Sequence, residues 1–323
     1  MKRRSLFVHA GQWGVALAAT GLGACAPPAR LKVAINPWIG FETLRLAMGF
    51  RYLPESVLLF ETKGLAESSM LMATGKVDAA CLTLDEVLRV RATGVPLTVA
   101  LVFDVSEGGD VVMAMPGTRT LADLAGKRIG VESGPLGALM LRELLRSAKL
   151  PRASVTVVDV STDQQLQAWR AGHIDVAITY EPVATLLQRE GGARIFDSRQ
   201  LPDTIFDVLA VRTDRIGPHQ EALEALLRGH FLGLKHIAQN REDATYRTAA
   251  TLGISYAEVR QALMGVRLPS LQANREYLAS SGGQLQTAAA SLSTLMAQEG
   301  LLARPDDLAD LSRSTWLPAL EVQ

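Results

Sequence analysis

The pattern that most constrains this chain is a strand–helix order written twice. By periodicity, residues 31–35, 57–60 and 77–82 are strands, alternating with helices over 41–52, 66–73 and 85–92. After an interruption the order returns, with strands at 127–131, 155–158 and 174–178 and helices at 136–147, 164–170 and 182–189. The phrase Gly75-Lys76-Val77-Asp78-Ala79-Ala80 comes back 97 residues later as Gly172-His173-Ile174-Asp175-Val176-Ala177. Strands that alternate with helices form largely parallel sheets joined by right-handed crossovers. The expectation is therefore an α/β chain of two doubly wound lobes.

The boundary between the lobes is written in residues 97–114, LTVALVFDVSEGGDVVMA. This apolar run is interrupted by Asp104, Ser106, Glu107, Gly108, Gly109 and Asp110, and it reads as two strands with a polar joint. Phe103-Asp104-Val105 has an echo in Phe206-Asp207-Val208, so the chain is expected to cross the same boundary twice. That division gives residues 31–103 with 206–323 to one lobe and 104–205 to the other, hinged at two crossing strands. Past Arg212 the periodicity predicts helices at 221–240, 242–252, 255–264 and 284–298, and no further strand.

Charge narrows the partners. Lys plus Arg and Asp plus Glu number 33 each, so no net field draws nucleic acid. Lys2-Arg3-Arg4, the apolar stretch 6–23 and Leu22-Gly23-Ala24-Cys25 read as a signal segment, 1–24, ending in a lipobox. Cys25 is then the lipidated first residue and 25–30 a tether. The stretch, with His9 and Gln12, is weakly apolar for a lasting span. Cys81 is the one other cysteine, so no intrachain disulfide is expected.

In doubly wound lobes, ligands lie beyond the carboxyl ends of the strands, where loops run into helix N-termini. Those loops hold the candidate ligand-binding residues: Trp38, Gly40 and Phe41; Thr83 and Asp85; Asp104 and Ser106; Glu132, Ser133 and Gly134; Tyr180 and Glu181; and Asp207. Trp38 and Phe41 offer an apolar wall, Ser133 and Gly134 open a helix, and Asp104 and Asp207 form the floor. The same residues have plainer uses: Trp38 as a cover over the core edge, Glu132 as a first-turn helix charge, and the two aspartates as hinge hydrogen-bonders. Asp85, Asp104, Glu132, Glu181 and Asp207 are acidic and Lys63 is the one nearby cation, which leans toward a neutral or cationic nitrogenous ligand rather than an oxyanion.

Asn36-Pro37-Trp38-Ile39-Gly40-Phe41, residues 75–81 with Thr83-Leu84-Asp85, the phrase LADLAGKRIG at 121–130, and Thr179-Tyr180-Glu181-Pro182 resemble the nitrate, sulfonate, taurine and thiamine-pyrimidine group of periplasmic substrate-binding proteins. The resemblance covers about residues 31–215. It implies a two-lobed type II periplasmic-binding-protein fold of two mixed sheets. It also implies a monomeric, lipid-anchored receptor on the periplasmic side of a bacterial envelope. Such a receptor closes on a small solute, a nitrogenous pyrimidine or amine or a sulfonate such as taurine, and passes it to an ABC permease and its ATPase. Relatives of the same fold make the thiamine pyrimidine, an activity that wants a cofactor lysine and a local His or Cys cluster. His9, His173, His219, His230 and His236 show no such spacing near Cys81, so neither an enzyme nor a cofactor or metal is expected. The other alternative, a ligand-sensing module reporting to a kinase, lacks an output domain within this sequence.

Overall fold

The computed structural model describes residues 30–118, 120–280 and 282–319; the signal segment and Cys25 lie outside them. The first unit runs β1 (Leu31–Ile35), α1 (Glu42–Gly49), β2 (Val57–Glu61), α2 (Leu65–Ala73), β3 (Ala79–Thr83), α3 (Leu84–Arg91) and β4 (Leu97–Ser106). A second follows, with β5 (Asp110–Ala114), β6 (Arg128–Val131), α4 (Pro135–Ala148), β7 (Thr156–Asp159), α5 (Thr162–Arg170), β8 (Val176–Tyr180), α6 (Val183–Arg189) and β9 (Ala193–Asp197). The chain then returns through β10 (Phe206–Arg212) to α7 (Gln220–Gln239), α8 (Arg241–Leu252), α9 (Tyr256–Leu263), β11 (Val266–Arg267), α10 (Leu271–Tyr277) and α11 (Gln284–Gln298).

Two sheets result. One has six strands in the order β11-β4-β10-β3-β1-β2, the other five in the order β7-β6-β8-β5-β9. The doubly wound parts are parallel, β2-β1-β3 and β7-β6-β8, but β10, β4, β5, β9 and β11 join antiparallel, so both sheets are mixed. Periodicity could not foresee this, because it reads strands and not their direction. The central strands β3, β4, β5 and β8 are buried along their whole length, which is why they read as mostly apolar runs without strict alternation. The expectation of no strand after residue 212 is corrected by β11, two residues pairing with β4 at Ser106 and Val105. It is too short to carry a period.

The repeated phrase has a repeated job. Gly75 and Gly172, at φ +67° and +65°, end α2 and α5 in the left-handed region that glycine enters without strain. Asp78 and Asp175 then accept from the backbone N–H of Lys32 (3.0 Å) and Arg128 (2.9 Å), tying the start of β3 to β1 and the start of β8 to β6. The interior is less divided than the sequence suggests. One apolar cluster runs through both sheets, and a smaller one around Val111, Met113, Trp169 and Leu187 covers the outer face of the five-stranded sheet.

The FDV phrases meet. β10 lies antiparallel to β4 with Asp207 opposite Asp104, and the register shifts just beyond, so that Val208 faces Val102. Phe103 is the extra residue of this bulge. It sends its ring against Phe41 at 5.1 Å.

Candidate functional site

The carboxyl ends of β1, β3 and β8 and the joint between β4 and β5 face one another, and two small cavities lie there. The larger, about 30 Å³, is lined from the six-stranded half by Leu65, Ala66 and Glu86, and from the other half by Asp110, Glu132, Ser133, Gly134, Leu136, Thr179 and Tyr180, among others. The inner one, about 10 Å³, adds Asn36, Trp38, Thr83 and Asp207. Leu65, Asp110, Leu136 and Tyr180 line both, so the two form one interrupted cleft between the sheets.

Trp38 is the centre of its inner end. Pro37 stops β1 from continuing, and Trp38 follows in extended backbone with its ring turned between the sheets and only 3% exposed. Its Nε1–H donates to Asp104 Oδ2 at 3.0 Å, and its ring meets Tyr180 edge-on at 5.8 Å. Gly40 permits this approach: a Cβ there would stand 1.7 Å from Asp104 Oδ2 and 2.8 Å from Trp38 Nε1.

The charges are acidic and buried. Burial pushes Asp104 up to about 7 against the opposing pull of the Trp38 hydrogen bond, and burial beside Asp104 holds Asp207 well above the usual carboxylate range. Two carboxyls placed opposite one another in a dry sheet cannot both ionise cheaply, so the pair retains protons to higher pH. Asp110 opens β5 with its backbone N–H on Ser106 Oγ (3.1 Å), and burial lifts its carboxyl to about 6. Asp85 and Glu86 begin α3 and are lifted to about 6 and about 7, first by burial and, for Glu86, next by repulsion from Asp85. Glu86 accepts from Ser69 Oγ at 2.6 Å and touches Arg89 at 3.2 Å. Glu132 reaches across from the five-stranded half, accepting the Ala66 N–H at 3.4 Å and the Thr162 hydroxyl at 3.0 Å; burial raises it too. Among the described residues no Lys, Arg or His lines either cavity. Lys63 is exposed and off the cleft wall.

The structure brings Trp38, Thr83, Glu132, Ser133, Gly134, Tyr180 and Asp207 to the cavity walls, with Asp104 and Gly40 directly behind Trp38. It sends others elsewhere. Phe41 is fully buried against Phe103, inside the core rather than on a cavity wall. Glu181 turns back to accept the Thr185 N–H at 3.1 Å and faces Arg194 at 3.8 Å, so it serves the start of α6. Ser106 bonds Ser198 Oγ at 2.8 Å and fixes the joint where both crossings pass. Thr83 occupies the N-cap position of α3 without a side-chain capping hydrogen bond. Asn36, Glu86 and Asp110 were missed. Asp110 carried a signal, since it is the charge at which the apolar run resumes. Glu86 did not, because adjacent helix residues point about 100° apart and only packing decides which faces the cleft.

The comparisons with known proteins follow this geometry. Residues 56–244 match the family model described as NMT1/THI5 like. A Brucella abortus (strain 2308) protein named "Putative binding protein" is 29% identical over 122 residues, 36% of this chain; the match spans only 38% of that relative's length. The alkanesulfonate-binding protein SsuA of Xanthomonas axonopodis pv. citri, solved with MOPS, superposes with a TM-score of 0.73 at 18% identity, over 89% of this chain and 99% of that one. The nitrate-binding protein NrtA of Synechocystis PCC 6803 gives 0.71 at 10%, over 90% and 87%. These structures establish an α/β periplasmic-binding-protein fold, and with the family match over more than half its length the chain belongs to the NMT1/THI5-like family.

Proposed function

We propose that this chain is the solute-binding component of an ABC importer, closing two lobes on a small nitrogenous solute and handing it to a permease. The observation that carries this reading is the cleft itself. Its walls come from both halves, and among the described residues the chain passes between the sheets twice, at 107–109 and 198–205. Two such crossings allow a hinge, and a solute touching both walls favours the closed form by its differential affinity. In this reading residues 31–103 with 206–323 are one lobe and 104–205 the other, except that residues 104–106 complete β4 and go with the six-stranded lobe. Cys25 carries the lipid that keeps a monomeric receptor on the periplasmic side of the membrane.

The decisive measurement is small-angle scattering of the purified protein with and without a solute that raises its melting temperature. A smaller radius of gyration on binding is expected. Binding with no compaction would remove the closing mechanism. Anchoring is checked apart, by replacing Cys25 with Ser and following the protein from the membrane fraction to the soluble periplasm.

A further inference from the structure

The neighbours described above are an alkanesulfonate-binding and a nitrate-binding protein, and a fold of this kind can hold an oxyanion on the free N–H groups of helix N-termini. Here that capacity is used internally. The Ala66 N–H in the first turn of α2 is taken by Glu132 from the opposite half, and the Ser133 N–H ahead of α4 by Asp159 at 3.1 Å. The first residue of α4 is Pro135, which has no N–H, and α3 carries Asp85 and Glu86 in its first turn. An anion entering this cleft meets carboxylates at the positions where it would need donors.

A second observation points the same way. Asp110 is 4% exposed, lines both cavities, and its Oδ2 has no hydrogen-bond partner. At the inner end the Oδ1 of Asn36, 1% exposed, is also unpartnered. Buried polar atoms are normally satisfied. The hydroxyls of Thr83, Thr179 and Tyr180 on the same walls are unpartnered too, but a hydroxyl donates or accepts, whereas the ionised Asp110 and Asn36 Oδ1 oxygens can only accept. Their shared need is for a donor: among the described residues Arg89 reaches Glu86 at 3.2 Å while 41% exposed itself, and Arg45 donates to the Asn36 backbone carbonyl at 3.2 Å, leaving the Asn36 Oδ1 unmet.

We propose that the cleft is built for a small organic cation, a protonated amine or amino-heterocycle with at least two N–H donors, its charge set among Glu86, Asp110 and Glu132. The inference rests on the binding-protein reading and names the ligand class of that site. The apolar body of the ligand lies between Leu65 and Leu136, with the Trp38 ring offering a face at the inner end. Because the cavity is about 30 Å³, room for a water or two, the halves must part before such a ligand enters. Once ionised, at a pH above these raised values or beside a bound cation, the same carboxylates reject sulfonate and nitrate by like-charge contact in a dry site.

The test is calorimetric and thermal titration of the full mature chain with benzylamine and 4-aminopyridine against ethanesulfonate, nitrate and zwitterionic taurine. Binding of the two cations alone is expected. Glu86→Gln and Asp110→Asn should each weaken the cations by about 10- to 100-fold, the loss of one charge-assisted hydrogen bond. Circular dichroism confirms that each variant folds, and the second stands in should the first not. Stabilisation by ethanesulfonate or nitrate, no stabilisation by either cation, or cation affinities unchanged in both variants would overturn the proposal. The scattering experiment keeps this apart from the broader reading: compaction on an anion leaves a binding protein standing and removes only the cation.

Discussion

The carboxyl pair on the crossing strands makes a quantitative prediction. Asp104 is completely buried and is lifted to about 7, whereas in the unfolded chain it titrates near the ordinary value of 3.8. A carboxyl whose pKa is raised on folding lends stability that is fully present below its unfolded pKa and disappears as pH rises through its folded pKa. Between pH 5 and pH 7 the unfolded chain has already released this proton and the folded chain retains it. The native state therefore loses about 1.4 kcal/mol per pH unit, or about 3 kcal/mol in all, from Asp104 alone. Asp104→Asn keeps the shape, keeps an oxygen for the Trp38 N–H, and removes the titration. Urea unfolding at pH 5 and pH 8, followed by tryptophan fluorescence, reads the effect. The wild-type loss of stability across that interval should exceed the variant's by about 3 kcal/mol or more, because Asp207 loses a charged neighbour in the variant and titrates lower there, while the acids away from the pair contribute to both proteins. Equal losses in the two proteins would refute the claim that Asp104 holds a proton in the folded state, and with it the paired arrangement opposite Asp207.

Three further outcomes are expected. Gly40→Ala places a Cβ 1.7 Å from Asp104 Oδ2, so it should destabilise by about 1–3 kcal/mol in thermal denaturation; Gly49→Ala, with nothing within 4 Å, should not. Trp38→Ala should weaken binding of the identified solute by about 1–3 kcal/mol in calorimetric titration. His236→Ala, which loses an Asp243 contact at 2.8 Å on the far helices, should leave affinity unchanged. Arg189 and Glu258 join α6 to α9 between the two halves through a bidentate pair. Both are partly exposed, so Arg189→Ala should relax the closed form modestly and weaken solute affinity by no more than about fivefold, an exposed ion pair being worth about 0.2–1 kcal/mol. A larger loss in titration would show that the pair governs closure.

Much of the architecture was legible because it is written in local signals. Strand and helix periods, the glycines that end α2 and α5, and the return of Gly-x-x-Asp after 97 residues are properties of a few neighbouring residues, and they fixed the doubled unit and its order. The two FDV phrases lie paired on β4 and β10, beside the passages at 107–109 and 198–205 and not in them. The acidic character of the strand-end loops could also be counted directly.

What the tertiary structure decided is every feature that depends on partners distant in sequence. The antiparallel direction of β4, β5, β9 and β10 is set by the neighbours each pairs with, and the two-residue β11 is a strand only through its pairing with β4. The bulge at Phe103 aligns Asp104 with Asp207 and carries Phe41 into the core, which no tripeptide echo specifies. The site's own contacts, Trp38 to Asp104 and Ala66 to Glu132, each span 66 residues. Whether an acid in a strand-end loop faces the cleft, as Glu86, Asp110 and Glu132 do, or turns back to its own helix, as Glu181 does, is settled by packing around each side chain. Burial then sets their proton affinities, because the free energy of a charge depends on the water removed from around it, and that quantity exists only once the chain has folded.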